Sequence, residues 1–284
     1  MEITGTPASI LRLRDLSFDL SLRTYVMGIL NVTPDSFSDG GKFISFKDAL
    51  NHAEKMHKDG ADIIDVGGES TRPGAEPVSL DEEERRVLPV VKELEKSGIP
   101  VSVDTYKYSI AEKALDCGAH MVNDITGLRT SPEIARLAKE HSVPLVIMHM
   151  KGTPRTMQEN PTYGNLIGEV SDFFKERIGI ASSFGLGSES IVLDPGIGFG
   201  KTVEHNLELI ANLRRFKLFG MPLLVGVSRK SFIGKILDLT VDERLEGSIA
   251  SAAIAVQQGA NIVRVHDVKE NVRALRIVNA IMKC

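Results

Sequence analysis

The sequence lacks the features that mark several large classes of protein. Its 284 residues include no tryptophan and only two cysteines, Cys117 and Cys284, so neither a disulfide framework nor a paired-cysteine zinc site is expected. No run approaches the ~18 apolar residues of a membrane-spanning helix, and the N-terminus lacks the apolar stretch of a signal peptide. Lysine and arginine total 34 against 38 aspartates and glutamates, unlike a general nucleic-acid binder. We therefore expect a cytoplasmic protein that binds neither membranes nor nucleic acid.

Short apolar runs recur along the chain and are separated by helical patterns. Eight of them are expected to be strands buried on both faces, at 25–30, 61–66, 99–103, 120–123, 144–148, 191–194, 222–227 and 261–265. Between them, 46–60 and 81–98 have helical periodicity, and Pro89 is expected to kink the second helix or divide it in two. Eight strands alternating with helices predict an α/β fold, a (β/α)₈ TIM barrel, as a single domain over 1–284. Alternation in 10–23 predicts a short N-terminal β-hairpin at the barrel bottom.

Polar side chains stand where each predicted strand ends. In this architecture the C-terminal strand ends and the loops after them carry the active site, so these groups should converge on one mouth. They are Asn31, Asp35, Asp65, Glu69, Arg72, Asp104, Asn123, Asp124, His149, Asp194, Ser228, Arg229, Lys230, Arg264, His266 and Asp267, and the fifth strand also ends with the apolar Met148. A single polar residue after a strand is more often a turn or cap residue, but eight coincident ends indicate a site.

The residue types at this mouth indicate the chemistry of a ligand. Asp104 and Asp194, with the amide of Asn123, would accept hydrogen bonds from a heterocycle that presents adjacent N–H donors. A strand-end acid can instead pair with a neighbouring arginine, and that alternative stays open for Asp65 and Asp124. The cationic groups would collect a phosphate, a diphosphate or carboxylates. These groups are Arg72, Arg229, Lys230, Arg264 and His266.

Two further segments suggest anion or metal contacts without matching a known motif. Residues 194–202 fail the nucleotide-binding pattern because Pro195 stands where its first glycine is required, although their glycines would let the backbone and Phe199 approach a ligand. Ser231 lies at the expected start of a helix, either as an anion contact or as the N-cap. Mg²⁺ carried by substrate phosphates needs only one or two protein oxygens, which Asn31 or Asp35 would provide.

Eight ordered motifs resemble those of the dihydropteroate synthase family. They are GILNVTPDSFSDGG (28–41), ADIIDVGGESTRPGA (61–75), SVDTYK (102–107), NDITGL (123–128), MHMKGTPRTMQ (148–158), LDPGIGFGK (193–201), SRKSFIG (228–234) and IVRVHDV (262–268). The resemblance covers about residues 25–284, whereas 1–23 carry no motif. The chain is therefore identified as a member of this pterin-binding family.

The resemblance implies a transferase of folate biosynthesis, a sulfonamide target that uses Mg²⁺ and forms a homodimer. Its substrates would be 6-hydroxymethyl-7,8-dihydropterin diphosphate and 4-aminobenzoate, and its products 7,8-dihydropteroate and diphosphate. The residues implied for the pterin are Asp104, Asn123, Met148, Asp194, Lys230 and Arg264. Those for the diphosphate are Arg264, His266 and, through Mg²⁺, Asn31. Those for 4-aminobenzoate are Phe37, Thr71, Arg72, Pro73, Phe199, Lys230 and Ser231. The catalytic group would be Asp35, Asp104 and Lys230.

The expected mechanism is SN1-like, and two other functions stay open. Because the reacting carbon lies next to an electron-rich dihydropterin, diphosphate can leave before the amine attacks, with Asp104 near the resulting cation and the loop of Asp35 closed over the site. A methyltetrahydrofolate:corrinoid methyltransferase would share the pterin-binding barrel but would not need the SRKS, RVHD and TRPGA segments. A noncatalytic pterin-binding protein would have broken first or second loops, which are intact in this sequence.

Overall fold

The structure, a computed structural model, describes residues 9–32, 46–70 and 75–284. Its strands are β1 (Ile10–Leu13), β2 (Leu16–Asp19), β3 (Tyr25–Asn31), β4 (Ile63–Gly67), β5 (Val101–Asp104), β6 (Met121–Asp124), β7 (Leu145–Met148), β8 (Ile191–Asp194), β9 (Leu224–Val225) and β10 (Ile262–Val265). Its α-helices are α1 (Phe46–Lys58), α2 (Leu80–Lys96), α3 (Tyr108–Asp116), α4 (Ile134–Glu140), α5 (Leu166–Ser183), α6 (Val203–Ala211), α7 (Ser231–Leu237), α8 (Leu245–Gln257) and α9 (Val268–Ile281). None of these helices has the length and apolarity needed to cross a membrane.

Eight parallel strands form the predicted barrel. They are ordered β8-β7-β6-β5-β4-β3-β10-β9. One parallel bridge between Leu193 and Leu223 joins the two ends of this order. The outward side chains of the strands pack against the helices in one large apolar core. The prediction of a (β/α)₈ barrel is confirmed.

Two local expectations differ from the structure. Strand β9 covers only Leu224–Val225, because Pro222 cannot donate to a neighbouring strand and takes part only as an acceptor, from the amide of Leu193 at 2.9 Å. Helix α2 runs unbroken through Pro89, so the alternative that Pro89 divides the helix in two was wrong. Buried residues on both sides of Pro89, including Val87 and Val91, hold one continuous face against the core and offset the lost hydrogen bond.

The N-terminal hairpin closes the bottom of the barrel, as predicted. Strands β1 and β2 pair antiparallel, with Leu13 opposite Leu16. Leu11 and Leu13 are fully buried and pack against the lower interior residues of the barrel. At the turn, the Arg14 Nε donates to the Ala119 carbonyl at 2.9 Å and so fastens the hairpin to the loop before β6.

The interior of the barrel changes from apolar at the bottom to polar at the top. Side chains alternate along a strand, so residues two apart point to the same side. Four strands carry an apolar residue in the bottom cluster and a polar residue two positions later, as the pairs Ile63 and Asp65, Met121 and Asn123, Val192 and Asp194, and Ile262 and Arg264. The polar layer therefore lies at the C-terminal ends of the strands.

The hairpin packing predicts a contrast between its two faces. Leu11→Ala and Leu13→Ala should each lower the free energy of unfolding by about 2–5 kcal/mol, because each leaves a cavity in a packed core. Ile10→Ala is the matched control, since Ile10 lies on the other face of the same strand and is 47% exposed. It should change stability by about 0.5 kcal/mol or less. Denaturant unfolding measures all three, and equal losses for Ile10 and Leu11 would contradict the buried contact.

Candidate active site

Arg264 lies at the centre of the polar layer and joins two carboxylates. Its Nε donates to Asp65 Oδ2 at 2.6 Å, and its Nη2 donates to Asp104 Oδ2 at 2.8 Å. Asn123 Nδ2 donates to the same Asp65 oxygen at 3.0 Å. The structure therefore brings together Asp104, Asn123 and Arg264 from three strands, and it shows that Asp65 pairs with an arginine.

This network holds more acceptor capacity than its own donors use. Within the described residues, Asp65 Oδ1 and Ser102 Oγ are buried without a hydrogen-bond partner. Burial raises the pKa of Asp104 to about 7, with the Asp65 charge adding to the effect and Arg264 opposing it. Burial alone would lower the pKa of Arg264, but the two carboxylates outweigh it and the pKa is raised. Two acids sharing one guanidinium suit a ligand that brings further N–H donors.

Asp194 and Lys230 form a second polar pair beside this network. Asp194 is 5% exposed, and its Oδ1 accepts a hydrogen bond from the Gly196 amide at 2.7 Å. Burial raises the pKa of Asp194 to about 6. Burial, followed by the charge of Arg264, lowers the pKa of Lys230 to about 8. The Lys230 Nζ lies 4.1 Å from the centre of the Phe199 ring.

An apolar wall stands next to these polar groups. Met148 packs with three other buried residues in a small cluster, against which Tyr106 and Phe199 also pack; the other members are Ile125, Met150 and Met157. A flat aromatic ligand can contact this wall with one face while its edge meets the carboxylates. Met148 is paired with Asp194 in the ladder between β7 and β8, and Phe199 lies beside Lys230.

A second polar region lies where β3 ends, next to α1 and α9. A cavity of about 560 Å³ there is lined by side chains of both charge signs, which include Asn31, Lys55, Asp59, Arg229, His266 and Glu270. His266 Nδ1 lies 3.1 Å from Ser228 Oγ, and burial lowers the pKa of His266 to about 3. Arg229 is committed to Asp267, at 2.5 and 3.0 Å, which removes much of the free charge expected of it.

The donor set fits Mg²⁺ that is carried by a substrate, and does not form a protein cage for the ion. No group of three or more acidic, histidine or cysteine side chains in the described ranges is arranged to hold a metal. Asn31 ends β3 at the mouth and offers one neutral amide oxygen. Mg²⁺ commonly keeps its waters and takes most other ligands from substrate phosphates, so one protein oxygen is compatible with it.

The structure gives the positions of several other predicted site residues, whereas five of them lie outside the described part of the chain. Ser231 is the first residue of α7 and Lys230 is the N-cap, so the N-cap alternative for Ser231 was wrong. Asp124 accepts from the amides of Thr126 and Leu128 at 2.8 and 2.7 Å and therefore organises its own loop. Five predicted site residues lie outside the described residues: Asp35, Phe37, Thr71, Arg72 and Pro73.

The sequence assigned no definite role to two buried groups near the site, Asp65 and Lys201. Asp65 was left between two interpretations, although it accepts from both Arg264 and Asn123. Lys201 is 3% exposed, and its Nζ is 3.0 Å from Nδ1 of His149. Burial lowers the pKa of Lys201 to about 7. The only sequence signal for Lys201 was its position at the end of a glycine-rich loop.

Comparisons with known proteins agree with this geometry. Residues 27–266 match the family model described as pterin binding enzyme. The dihydropteroate synthase of Escherichia coli strain K12 is 51% identical over 265 residues, which cover 93% of each chain.

Two solved structures share the fold. Yersinia pestis dihydropteroate synthase, in complex with a sulfonamide drug, superimposes with a TM-score of 0.92 at 46% identity, covering 97% of this chain and 100% of that one. The Clostridium difficile enzyme, in the presence of pteroic acid, has a TM-score of 0.88 at 49% identity, covering 94% of this chain and 100% of that one. The chain belongs to the dihydropteroate synthase family of pterin-binding enzymes.

Proposed function

We propose that this chain joins 6-hydroxymethyl-7,8-dihydropterin diphosphate to 4-aminobenzoate, giving 7,8-dihydropteroate and diphosphate in folate biosynthesis. The observation that carries the proposal is the polar layer in which Asp65 and Asp104 share Arg264 beside Asn123. A binding site with surplus carboxylate acceptors next to an apolar wall suits a pterin, whose ring edge presents several N–H donors. The methyltransferase alternative is not supported by the family to which the chain belongs.

In this proposal the pterin lies between Met148 and Arg264. Asp104, Asn123 and Asp194 face its donor edge, and each hydrogen bond to a charged group contributes about 1.5–3 kcal/mol. Lys230 donates to an acceptor of the ring. The burial that raises the pKa values of Asp104 and Asp194 also keeps water away from these bonds, which strengthens them.

The diphosphate occupies the side of Asn31, His266 and Arg264. Arg264 has five N–H donors and uses Nε and Nη2 on the two carboxylates, so others remain for a phosphate oxygen. His266 donates from its imidazole, and Asn31 contributes an oxygen to Mg²⁺. When bound, Mg²⁺ would neutralise the negative charge that the diphosphate gains as it leaves.

The 4-aminobenzoate lies on the outer side of the pterin, against Phe199, Lys230 and Ser231. Four residues outside the described part of the chain complete this pocket in the proposal: Phe37, Thr71, Arg72 and Pro73. Asp35, which the proposal keeps in the catalytic group, also lies outside that part. Ser231 is exposed at the start of α7, next to Lys230, which is where a second substrate can approach the pterin from solvent.

We propose that the reaction is SN1-like. The C–O bond to the diphosphate breaks first, and the bonding electron pair leaves with the diphosphate. The amine nitrogen of 4-aminobenzoate then attacks the cationic carbon and loses a proton. Asp104, whose pKa is about 7, carries part of a negative charge at neutral pH beside Arg264, and that charge favours such a cation.

An oxygen-18 label tests the order of these steps. With the label in the bridging oxygen of the pterin diphosphate, cleavage before attack should scramble it into the non-bridging positions when 4-aminobenzoate is left out. Recovery of the substrate with its label in place after incubation without 4-aminobenzoate, by an enzyme preparation that turns over when both substrates are added, would contradict the SN1-like order.

We further propose that residues 1–284 act as one pterin-binding domain in the cytoplasm, as a homodimer. Both cysteines are free thiols, which suits a reducing compartment. Apolar side chains lie exposed on and between α7 and α8, where a second copy can cover them; they are Ile236, Leu237, Val241 and Ile254. Sedimentation of the purified chain measures the assembly, and a monomer at micromolar concentration would contradict the dimer.

Product formation is the direct test of the reaction. The purified chain should form dihydropteroate and diphosphate from the two substrates with Mg²⁺, and chelation of the metal should abolish most turnover because diphosphate then leaves without its counter-charge. A sulfonamide should compete with 4-aminobenzoate. Binding of pterin diphosphate in calorimetry without any product would instead indicate a noncatalytic pterin-binding protein.

Asp194→Asn should weaken the site and strengthen the fold. Asp194 has a pKa of about 6 in the folded state and of about 3.9 in the unfolded state. Because the folded state holds this proton more tightly, the free energy of unfolding falls as the pH rises from about 4 to 6. The loss persists above that range. Near pH 8 the variant should therefore be more stable than the wild type, by up to about 3 kcal/mol. Its affinity for pterin diphosphate should fall by about tenfold or more, as one charge-assisted bond is lost.

The stability difference should vanish below pH 4, where the folded and the unfolded wild type both become protonated at this position. Asp172→Asn is the control, because Asp172 is an exposed aspartate on α5 and should change neither property. Unchanged pterin affinity in calorimetry would remove Asp194 from the proposed pterin site.

A further inference from the structure

The loop between β8 and α6, residues 195–202, is held by side chains at almost every step. Its contacts, in chain order, are Gly196 N to Asp194 Oδ1 at 2.7 Å, Gly198 N to Asn206 Oδ1 at 2.6 Å, Gln158 Nε2 to Gly198 O at 2.8 Å, Lys201 Nζ to Phe199 O at 2.9 Å, and Tyr163 Oη to Gly200 O at 2.8 Å. These bonds restrain five backbone groups of the loop and so favour one conformation. The loop therefore presents Phe199 in a fixed position.

Lys201 is the charged member of this set, and the proposed reaction does not use it. Its Nζ donates to the Phe199 carbonyl at 2.9 Å and lies 3.0 Å from His149 Nδ1 and 3.4 Å from the His149 carbonyl. None of the ion pairs formed between described residues includes Lys201. A cation that is 3% exposed and spends its hydrogen bonds on backbone and imidazole costs stability unless another role retains it.

Lys201 joins two loops that are already in close backbone contact. A Cβ atom on Gly196 would lie 1.9 Å from the His149 carbonyl oxygen, and one on Gly200 would lie 2.4 Å from the Lys151 carbonyl oxygen. Both glycines also have positive φ angles, of 67° and 66°. The loops after β7 and β8 therefore meet with no side chain between them, and the Lys201 ammonium bridges the contact.

The loop that Lys201 holds also carries Phe199, which packs against the apolar wall of the site. Phe199 lies between the glycines of the loop, and its ring centre is 4.1 Å from Lys230 Nζ. A Cβ atom on Gly198 would lie 3.0 Å from Lys230 Cδ, so the loop backbone also packs along the Lys230 side chain. Displacement of the Phe199 carbonyl would move both the ring and the surface on which Lys230 rests.

We propose that Lys201 is a positioning residue for the 4-aminobenzoate subsite, which it serves by holding the Phe199 carbonyl against the loop after β7. This inference rests on the proposed function, because that function assigns Phe199 and Lys230 to the second substrate. Lys201 itself touches neither substrate. Its effect reaches them through the Phe199 ring and the Lys230 side chain.

Lys201→Met tests the proposal, since methionine is similar in length and removes the ammonium group. The KM for 4-aminobenzoate should rise by about tenfold, in line with the cost of misplacing a contact group slightly. The Kd for pterin diphosphate, by calorimetry, should stay within about threefold of wild type, because three other side chains hold the ring edge. The melting temperature should not fall, because the variant no longer buries a cation without a carboxylate partner.

Lys217→Met is the matched control. Lys217 is also partly buried, and burial lowers its pKa, but it donates to Asn261 Oδ1 at 3.4 Å near the bottom of the barrel. It should leave both substrate constants unchanged. Lys201→Gln keeps a neutral NH2 donor group and should recover part of the lost 4-aminobenzoate affinity.

Two outcomes overturn the proposal. One is an unchanged KM for 4-aminobenzoate in a folded Lys201→Met variant. The other is a proportional loss of both affinities with a lower melting temperature, which would mean that Lys201 only supports the fold. Both are read against a wild type that turns over, so failure of the wild-type reaction is recognised separately as failure of the proposed function.

A spectroscopic readout does not depend on activity. The chain contains no tryptophan, so Phe199→Trp introduces a single emitter at the loop. Adding Lys201→Met to this background should shift its emission to longer wavelength as the ring leaves its packed position, whereas adding Lys217→Met should not. Identical emission in all three proteins would show that Lys201 does not hold this position, and the proposal would fail.

Discussion

The site depends on a single guanidinium that two carboxylates share across the barrel. Arg264 on β10 contacts Asp65 on β4 and Asp104 on β5, and none of these strands is adjacent to β10 in the sheet. The arginine therefore links distant strands through the barrel interior, in addition to the ligand contact proposed for it. Buried ion networks of this kind seldom add stability over an apolar core of equal volume, so their value lies in the single arrangement that they enforce.

The division of the barrel into two ends separates stability from function. The lower interior is apolar and is sealed by the hairpin, and its packing gives a favourable contribution to folding. The upper interior holds buried acids and lysines whose pKa values are displaced by burial, which means that each of them is in an environment unfavourable to its charge. The two ends occupy the same strands. Apolar packing in the lower half of the barrel therefore offsets the free energy that is lost by burying ionisable groups in the upper half.

Much of this arrangement could be predicted from the sequence, for a physical reason. Strands that are buried on both faces must be apolar, so a polar residue at a strand end is conspicuous, and the period of two then places Asp104, Asn123 and Asp194 on the inner side. The central role of Asp65 could not be predicted in the same way. It depends on a contact between residues 199 positions apart, which no local pattern encodes. Helix α2 likewise continues through Pro89 because of tertiary packing, which outweighs local preference.

The closure of the barrel has a consequence for its motions. Strands β3, β4 and β10 share ladders of several residue pairs, whereas β8 meets the segment before β9 at the single bridge of Leu193 and Leu223. A cylinder of strands opens first along its weakest line, and amide protons beside that line exchange with solvent sooner than those of the opposite wall. Because Asp194 directly follows Leu193, an opening of this seam would also expose the buried Asp194 carboxylate to water.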